Sequence, residues 1–597
     1  MAARFIAYAF RDRQDAAMIE AYRQAPETLH LLFCSSRLMV FGNIECAPAI
    51  LTNNGIVIGD IFAKPHFAKP AREEAQWFTK VYTQKGFPGL LRSCWGAYVA
   101  FLDDSCGGRL EVLCSPLGNL PCYKLLTPWG AIFGSDPDIL VSMGHLVPAV
   151  DFQMVDAQLR FRTLRSPRTA LRYLEELPGG CAWQLGDPET VTDIWSPWTF
   201  TATPRQLSQP PVQALAEVVR YCVETWANQL GKLLLSLSGG LDSSVVAACL
   251  KGTRSDVNAV NLHDGTPASD ERVYAHAVMN KCLGSVLTDL QYDMEAVDIN
   301  ISSARMLPRP CGSALAQGVN GARHRLATEL NCPAIFTGFG GDGVFCYLTS
   351  ASPIVDRIRS DGLTAGLSET LMDICTMTGG TVIEGLIHAG LKVLRPNQRR
   401  YYSPDLSFLT TDRRAQLAVV PHHPWIEAPK GQLPGKIAHV GMIAEMLNGL
   451  DGFARDEALV DIAPLMSQPV VELCLAIPTW MWCRGGVDRI PIRESFQEAL
   501  PAEIISRTWK GGPDGLAGAL FERNREGLSL LFRNSLLVSH GIIDEKSVLA
   551  RLEDSMPVRA GENLRLLELA DAECWARHWS DRGTLSPSAA GKGAAGI

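Results

Sequence analysis

Along the first ~200 residues, short apolar runs alternate with turn residues, the pattern of strands joined by tight connections. Leu31–Phe33, Gly55–Ile58, Ala97–Leu102 and Leu110–Cys114 are such runs, punctuated by Gly-Asn, Pro-Leu-Gly and Asp-Pro-Asp clusters. A helix is predicted from about Pro70 to Lys85. Thr, Pro, Gln and Ser gather over 201–211, which reads as a linker. Beyond it the rhythm changes. Val212–Leu230 carries apolar residues at helical spacing, Leu233–Leu237 is a short leucine-rich run, and Leu241–Leu250 is a helix of small residues. Val257–Leu262 predicts another strand and Asp270–Cys282 another helix, and Ala334–Thr337 again runs from strand into glycine turn. Strands alternating with helices predict a parallel sheet covered on both faces. From about residue 350 helical spacing dominates, and Ser586–Ile597, small-residued and of low complexity, reads as a disordered tail. The expected organisation is a β-rich unit over 1–200, the linker over 201–211, an α/β unit with a helical C-terminal part over 212–585, and the tail over 586–597.

Composition narrows the function classes. With 47% hydrophobic and 20% charged residues, the 597-residue chain is ordinary globular protein, too long for one core. A net charge of -8 gives no basic footprint for nucleic acid. None of the 17 cysteines stands in C-x-x-C spacing, so zinc knuckles and redox pairs lose their signature. The odd count and the lack of an N-terminal secretory segment point to reduced thiols in a cytoplasm. No apolar stretch reaches the ~18 residues of a membrane span.

The chemistry concentrates where strands meet glycines. In Leu233–Leu250 (LLLSLSGGLDSSVVAACL) a strand ends near Ser236, Ser238-Gly239-Gly240 turns the chain, and a helix begins at about Asp242. Glycines allow a tight turn that presents bare N–H groups, the helix start adds its dipole, and Ser238, Ser243 and Ser244 add hydroxyl donors. Together they make an anion cradle sized for phosphates. It is neither a Walker loop nor a dinucleotide fingerprint. An acid inside a phosphate cradle requires a cation between them, so Asp242 reads as a Mg²⁺ ligand. The alternative is a glycine turn with Asp and Ser as helix caps. Ala334–Phe345 (AIFTGFGGDGVF) repeats the design with Gly338, Gly340 and Gly341 ahead of Asp342. Ligands of parallel sheets sit beyond the strands' carboxyl ends, where Asp242 and Asp342 could share one Mg²⁺ on a leaving pyrophosphate.

SGGLDSS followed downstream by a strand and G-x-G-x-D resembles the synthetase domain of asparagine synthetases and their relatives, the β-lactam synthetases and lasso-peptide cyclases. Gly96–Leu102, Ser115–Gly118, Pro121–Tyr123 and Phe133–Asp136 resemble a glutaminase-type (Ntn-type) N-terminal domain. Asp461–Pro478 and Asp488–Lys510 resemble the late synthetase helices, so the resemblance spans about residues 1–530. It implies ATP and Mg²⁺ as cofactors, and a lysine at Lys510, in Arg507–Lys510, that meets the phosphates and the developing oxyanion. A solvated surface lysine is the alternative.

Departures from the pattern choose among the relatives. Glutamine-dependent members need a cysteine after Met removal, whereas this chain begins Met1-Ala2, so the N-terminal domain is expected to be inactive. Without an ammonia source the attacking amine comes from the substrate. Phe339 stands where the β-lactam synthetases carry the tyrosine of a Tyr-Glu base dyad. An N-terminal α-amine, with a reference pKa of ~7.7–8.0, needs little such help. Leu433–His439 and Pro464–Pro478 look most like the lasso-peptide cyclases. The resemblance therefore implies adenylation of an Asp or Glu side chain of a linear precursor peptide. The peptide's own amine then closes a macrolactam, with a leader peptidase and a leader-peptide-binding protein as implied partners. Rival readings are an ammonia-using asparagine synthetase, a β-lactam-type ligase, a transfer-RNA-modifying enzyme with the same loop, and a non-catalytic peptide-binding scaffold.

Four residues are weaker candidates. His263 ends a predicted strand and Asp270 opens a predicted helix, where capping is the plainer role. Arg489 and Arg493 are spaced for one helix face, to bind phosphate or to pair with Glu494 and Glu498. Cys311 reads as a turn or packing residue.

Overall fold

A computed structural model describes residues 3–12, 28–43, 49–52, 55–65, 74–104, 108–186, 188–201, 209–265, 270–394, 404–410, 421–451, 459–508, 514–554 and 560–584. The N-terminal part is two antiparallel sheets. One runs Leu174–Glu176, Tyr123–Thr127, Gly130–Gly134, Phe5–Phe10, Leu38–Gly42, His30–Cys34 from edge to edge. The other runs Thr190–Asp193, Cys181–Gln184, Arg109–Cys114, Cys94–Asp104, Gly55–Ala63, Ala49–Thr52.

The strand Phe5–Phe10 explains the packing. Consecutive side chains point to opposite faces, and all of these are buried. Phe5, Ala7 and Ala9 face the second sheet, where Phe5 meets Phe101 edge-on with centroids 5.6 Å apart. Ile6, Tyr8 and Phe10 join an apolar cluster shared with the C-terminal helices Asp514–Arg533 and Ala560–Thr584. The second sheet is covered likewise: Phe62 and Trp95 lie 4.8 Å and 6.0 Å from Trp226 on the helix Pro211–Leu230. Both outer faces of the sandwich are thus closed by the rest of the chain.

The helix expected over Pro70–Lys85 is Glu74–Ser93, broken by a left-handed Gly86 (φ 59°) before Pro88; Pro70 lies outside the described residues. Of the 201–211 linker, residues 202–208 lie outside the described residues, as does the 586–597 tail.

The second sheet system is parallel, in the order Leu287–Gln291, Asp256–His263, Lys232–Ser236, Ala334–Phe336, Val460–Ile462. Its three central strands match the predicted runs. The two edge strands were not predicted: Leu287–Gln291 (LTDLQ) is half exposed and polar, and Val460–Ile462 is only 3 residues long. Neither supplies a periodic apolar signal. From Lys232–Ser236 the chain first adds strands on one side, then returns to add Ala334–Phe336 on the other. Connecting segments diverge there and leave a crevice beyond the strand ends. Helices dominate after residue 350, among them Ser352–Asp361, Ala365–Thr378, Val382–Leu394 and Pro434–Glu445. Among the described residues no helix is long and apolar enough to cross a membrane, and the described cysteines form no disulfide.

Candidate active site

The two glycine loops lie side by side at that crevice. After Ser236, Gly239 takes a left-handed turn (φ 72°) and the helix Leu241–Leu250 starts behind Gly240 with no side chain capping it. Backbone N–H groups of a first turn have no intrahelical partner, so an uncapped start suits an anion. The hydroxyls behave less uniformly than expected. Ser244 is fully buried and donates to the Gly240 carbonyl at 2.7 Å, bracing the turn. Ser238 and Ser243 pair with each other at 3.1 Å, and the Ser238 Oγ accepts from Gly240 N at 3.3 Å. Ser243 is itself buried, so Ser238, with Ser236 before it, is the more accessible of the loop's hydroxyls.

The second loop needs its glycines for a reason composition does not reveal. A Cβ on Gly338 would stand 2.4 Å from Ser243 N, and one on Gly341 would stand 2.4 Å from Asp242 Cγ. Bare backbone lets the second loop lie directly on the first helix turn. Gly340 is left-handed (φ 83°) and a side chain there would strike Met466. The short helix Gly341–Val344 then carries Asp342. His439, fully buried, holds that helix through Nε2 on the Val344 carbonyl at 2.9 Å.

Asp242 and Asp342 converge on one cation, the guanidinium of Arg489. Its Nη1 donates to Asp242 Oδ1 and Oδ2 at 3.2 Å and 3.1 Å and to Asp342, while Nε donates to Asp488 at 2.6 Å. Burial alone would lower the Arg489 pKa; the carboxylates of Asp242, Asp342 and Asp488 outweigh it and hold the charge firmly. Asp242 is buried and the Asp342 side chain is 56% exposed, so the pair has an inner and an outer member. Two carboxylates around one positive group suit Mg²⁺, which commonly takes one or two carboxylates and completes its shell with substrate phosphates and water. Among the described residues no group of three or more His, Cys, Asp or Glu could hold a metal unaided.

Arg489 and Arg493 do not share a helix face. Arg489 is the left-handed cap (φ 52°) before the helix Ile490–Ser495, and Arg493 lies inside that helix. Arg493 is spent on the Asp488 carbonyl (2.8 Å), the Ile505 carbonyl (2.9 Å) and Asp488 Oδ1 (3.3 Å); burial lowers its pKa. Glu494 pairs with Arg484 instead. Asp270 accepts from Arg272 N at 3.1 Å and pairs with the Arg272 guanidinium, which pulls its pKa down to about 2. It stands one residue before Glu271, the N-cap of the helix Arg272–Cys282, which no side chain caps. His263 closes the strand next to the first loop, with its Nδ1 buried and its carbonyl accepting from Tyr292 N at 2.9 Å. Cys311 sits in a turn, its N–H on the Arg309 carbonyl at 3.0 Å. Lys510 and Ala2 lie outside the described residues. Arg507, three positions before Lys510, donates to the Gly239 carbonyl at 3.3 Å and stacks 4.0 Å over Tyr274, so that segment is tied to the first loop.

A cavity of about 240 Å³ opens beside the second loop, between the two halves of the chain. Trp95, Leu117 and Trp226 form one wall, and Phe339, Leu450 and Met466 the other. Asp461, on the unpredicted edge strand, and Arg323 bring opposite charges to its lining. Asp461 Oδ2 is 3.4 Å from His324 Nε2, and Oδ1 is buried with no hydrogen-bond partner among the described residues. Burial would raise the Asp461 pKa, but His324 and Arg323 outweigh it and keep the carboxylate ionised. Asn119, from the Ser115–Pro121 turn, donates to the Asp461 carbonyl at 3.2 Å and docks the N-terminal part here. In the sequence Asp461 stood only as the first residue of the Asp461–Pro478 stretch, with nothing local to mark it as lining a cavity.

Residues 214–577 match the family model described as asparagine synthase. The chain belongs to the asparagine synthase family, a family of ATP-dependent ligases. None of the curated proteins matches it. Among solved structures it is similar to a glutamine phosphoribosylpyrophosphate amidotransferase from B. subtilis complexed with ADP and GMP, at 9% identity and a TM-score of 0.18. That likeness covers 43% of this chain and 59% of the amidotransferase, so the chain spans less than two thirds of its length. A second structure, of the allosteric regulatory enzyme of purine biosynthesis, also shows 9% identity and a TM-score of 0.18, covering 48% of this chain and 74% of that one.

Proposed function

We propose that the protein activates a side-chain carboxylate of a linear peptide with ATP and closes a macrolactam, as a lasso-peptide cyclase does. The observation that carries the activation half is the convergence of Asp242 and Asp342 on one positive charge beside an uncapped helix start. A carboxylate resists amines because oxide is its leaving group; transfer to the α-phosphate of ATP replaces oxide with AMP and releases pyrophosphate. In this reading Mg²⁺, held by Asp242 and Asp342, would neutralise the departing pyrophosphate. The uncapped N–H groups and the Ser238 and Ser243 hydroxyls would orient it. Arg489 keeps the two acids poised, and Lys510 would meet charge that accumulates on the acyl phosphate in the transition state.

The acceptor half rests on the cavity. Phe339, which cannot take a proton, forms its wall, and the ionised Asp461 belongs to the same lining, where its negative charge would favour an incoming amine. An α-amine is already partly neutral near pH 8 and needs aiming more than deprotonation. The N-terminal sandwich, glutaminase-like in its resemblance, serves in this reading as the wall that excludes water. The reading extends to cytoplasmic action on a precursor peptide together with a leader peptidase and a leader-peptide-binding protein.

Incubation with ATP, Mg²⁺ and candidate linear peptides tests it. The expected result is loss of one water from the peptide by mass spectrometry, with AMP and pyrophosphate in equal amount. Ammonia-dependent conversion of aspartate to its amide, without any peptide product, would overturn the ring closure and leave only the activation.

A further inference from the structure

In the first loop the Gly240 carbonyl is held from within, by the hydroxyls of Ser243 and Ser244. The carbonyl before it, that of Gly239, is held from outside. Arg507 Nη1 donates to it at 3.3 Å, across 268 positions of sequence, and no other described residue hydrogen-bonds to it. Arg507 ends the short helix Ala502–Ser506, and its side chain is only 5% exposed. Its other Nη pairs with Glu271, and the guanidinium lies 4.0 Å over the Tyr274 ring. Gly239 packs against the same helix start that carries Glu271 and Tyr274. A Cβ on Gly239 would stand 2.7 Å from Tyr274 Cβ and 2.8 Å from Ala275 N.

The carbonyl that Arg507 holds decides what the loop shows to a ligand. A trans peptide points its N–H and its C=O in opposite directions. In the Gly239–Gly240 peptide the N–H goes to Ser238 Oγ at 3.3 Å, on the side of the loop's accessible hydroxyl, so the carbonyl points away from it, to Arg507. Both residues of this peptide are glycines. Turning its plane over takes φ of Gly240 from -76° to about +100°, which a glycine accepts and other residues resist. The loop's own sterics therefore do not choose between the two orientations. A phosphate does: the observed one presents a donor on the Ser238 side, whereas the other would present a carbonyl oxygen that repels the anion. Because Glu271 pairs the guanidinium, Arg507 acts on the ligand through this carbonyl and not as a bare charge.

We infer that Arg507 is a positioning residue of the phosphate cradle, which keeps the Gly239–Gly240 peptide turned with its N–H toward a bound pyrophosphate. The role rests on the reading of the first loop as that cradle. Calorimetric titration of the full chain with Mg²⁺-pyrophosphate and, separately, with AMP tests it. Arg507→Met keeps an apolar chain against Tyr274 and removes the donor. It should weaken pyrophosphate by at least about tenfold, because a loop that spends most of its time turned over binds in proportion to the fraction still competent, and should change AMP by less than about twofold. Arg507→Lys, with one donor left, should recover part of the loss. The double variant Arg507→Met with Glu271→Gln removes the acid that the single variant leaves unpaired, and should show the same loss with a melt near that of the wild type. Equal losses for AMP and pyrophosphate would make Arg507 a support of the fold alone and overturn the inference. Undiminished pyrophosphate affinity in the double variant would overturn it as well. A wild-type chain that binds no pyrophosphate would instead overturn the cradle itself, and this role with it.

Discussion

Two loops at the ends of neighbouring strands carry the site, and they are built by opposite means. The first, Ser238–Ser244, is internally braced: its hydroxyls bond to one another and to Gly240, and its Asp242 is buried. The second, Gly338–Asp342, is steadied by one side chain, Thr337 Oγ1 accepting from Phe339 N at 3.3 Å, and is otherwise glycine backbone pressed against the first, with Asp342 half in solvent. The first is therefore a fixed cradle and the second a lid whose shape depends on its neighbour. Electrostatics follow the same division. A buried carboxylate facing Arg489 is costly to neutralise, whereas an exposed one is screened.

Substitutions should rank by that difference. Asp242→Asn should cost the most, about 10²–10³-fold in pyrophosphate release, because it removes an inner charge aimed at the reacting phosphates. It should also lower the melting temperature by leaving part of Arg489 unpaired. Gly341→Ala should come next, at roughly 10²-fold, since its Cβ, 2.4 Å from Asp242 Cγ, forces the loops apart by about an ångström. Calorimetry showing a normal fold with near-normal turnover would mean that the loops need not touch. Asp342→Asn should cost about tenfold and raise the Mg²⁺ concentration needed for half-maximal rate, an effect read by titrating the metal after chelation. An Asp342 loss as deep as that of Asp242 would erase the distinction between cradle and lid.

The smallest effect concerns acid. His439 is pushed down to about 3 by burial, with Lys436 adding to the shift, and it holds Val344 behind the second loop. An unfolded histidine binds its proton near pH 6.5, the native one only near 3, so the unfolded state carries more protons between them and stability falls as pH drops through that window. Hydrogen exchange at pH 5 should open the Gly341–Val344 turn before the Leu241–Leu250 helix, and His439→Gln should reduce the difference. Simultaneous opening would show that the second loop is held from elsewhere.

Local chemistry was legible in the residues themselves. A leucine run, a glycine turn and a small-residue helix specify a strand, a loop and a helix start wherever they fold, so the three central parallel strands and the two glycine loops that carry Asp242 and Asp342 could be read directly. The strand Phe5–Phe10 was not read out, because it is apolar throughout and buried on both faces, so it carries no alternation to mark it. The roles of Arg489 and Asp461 were not legible either. Arg489 reads as a helix residue at i,i+4 spacing from Arg493, yet a left-handed backbone turns it out of the helix into a site made by residues about 150 and 250 positions earlier. Asp461 lies on a strand too short to carry a periodic signal, and its partners His324 and Asn119 come from the two halves of the chain. Sequence fixes what each segment can be by itself; only the packed sheet decides which charge stands between the two aspartates, because that contact exists only when segments far apart in the chain share one crevice.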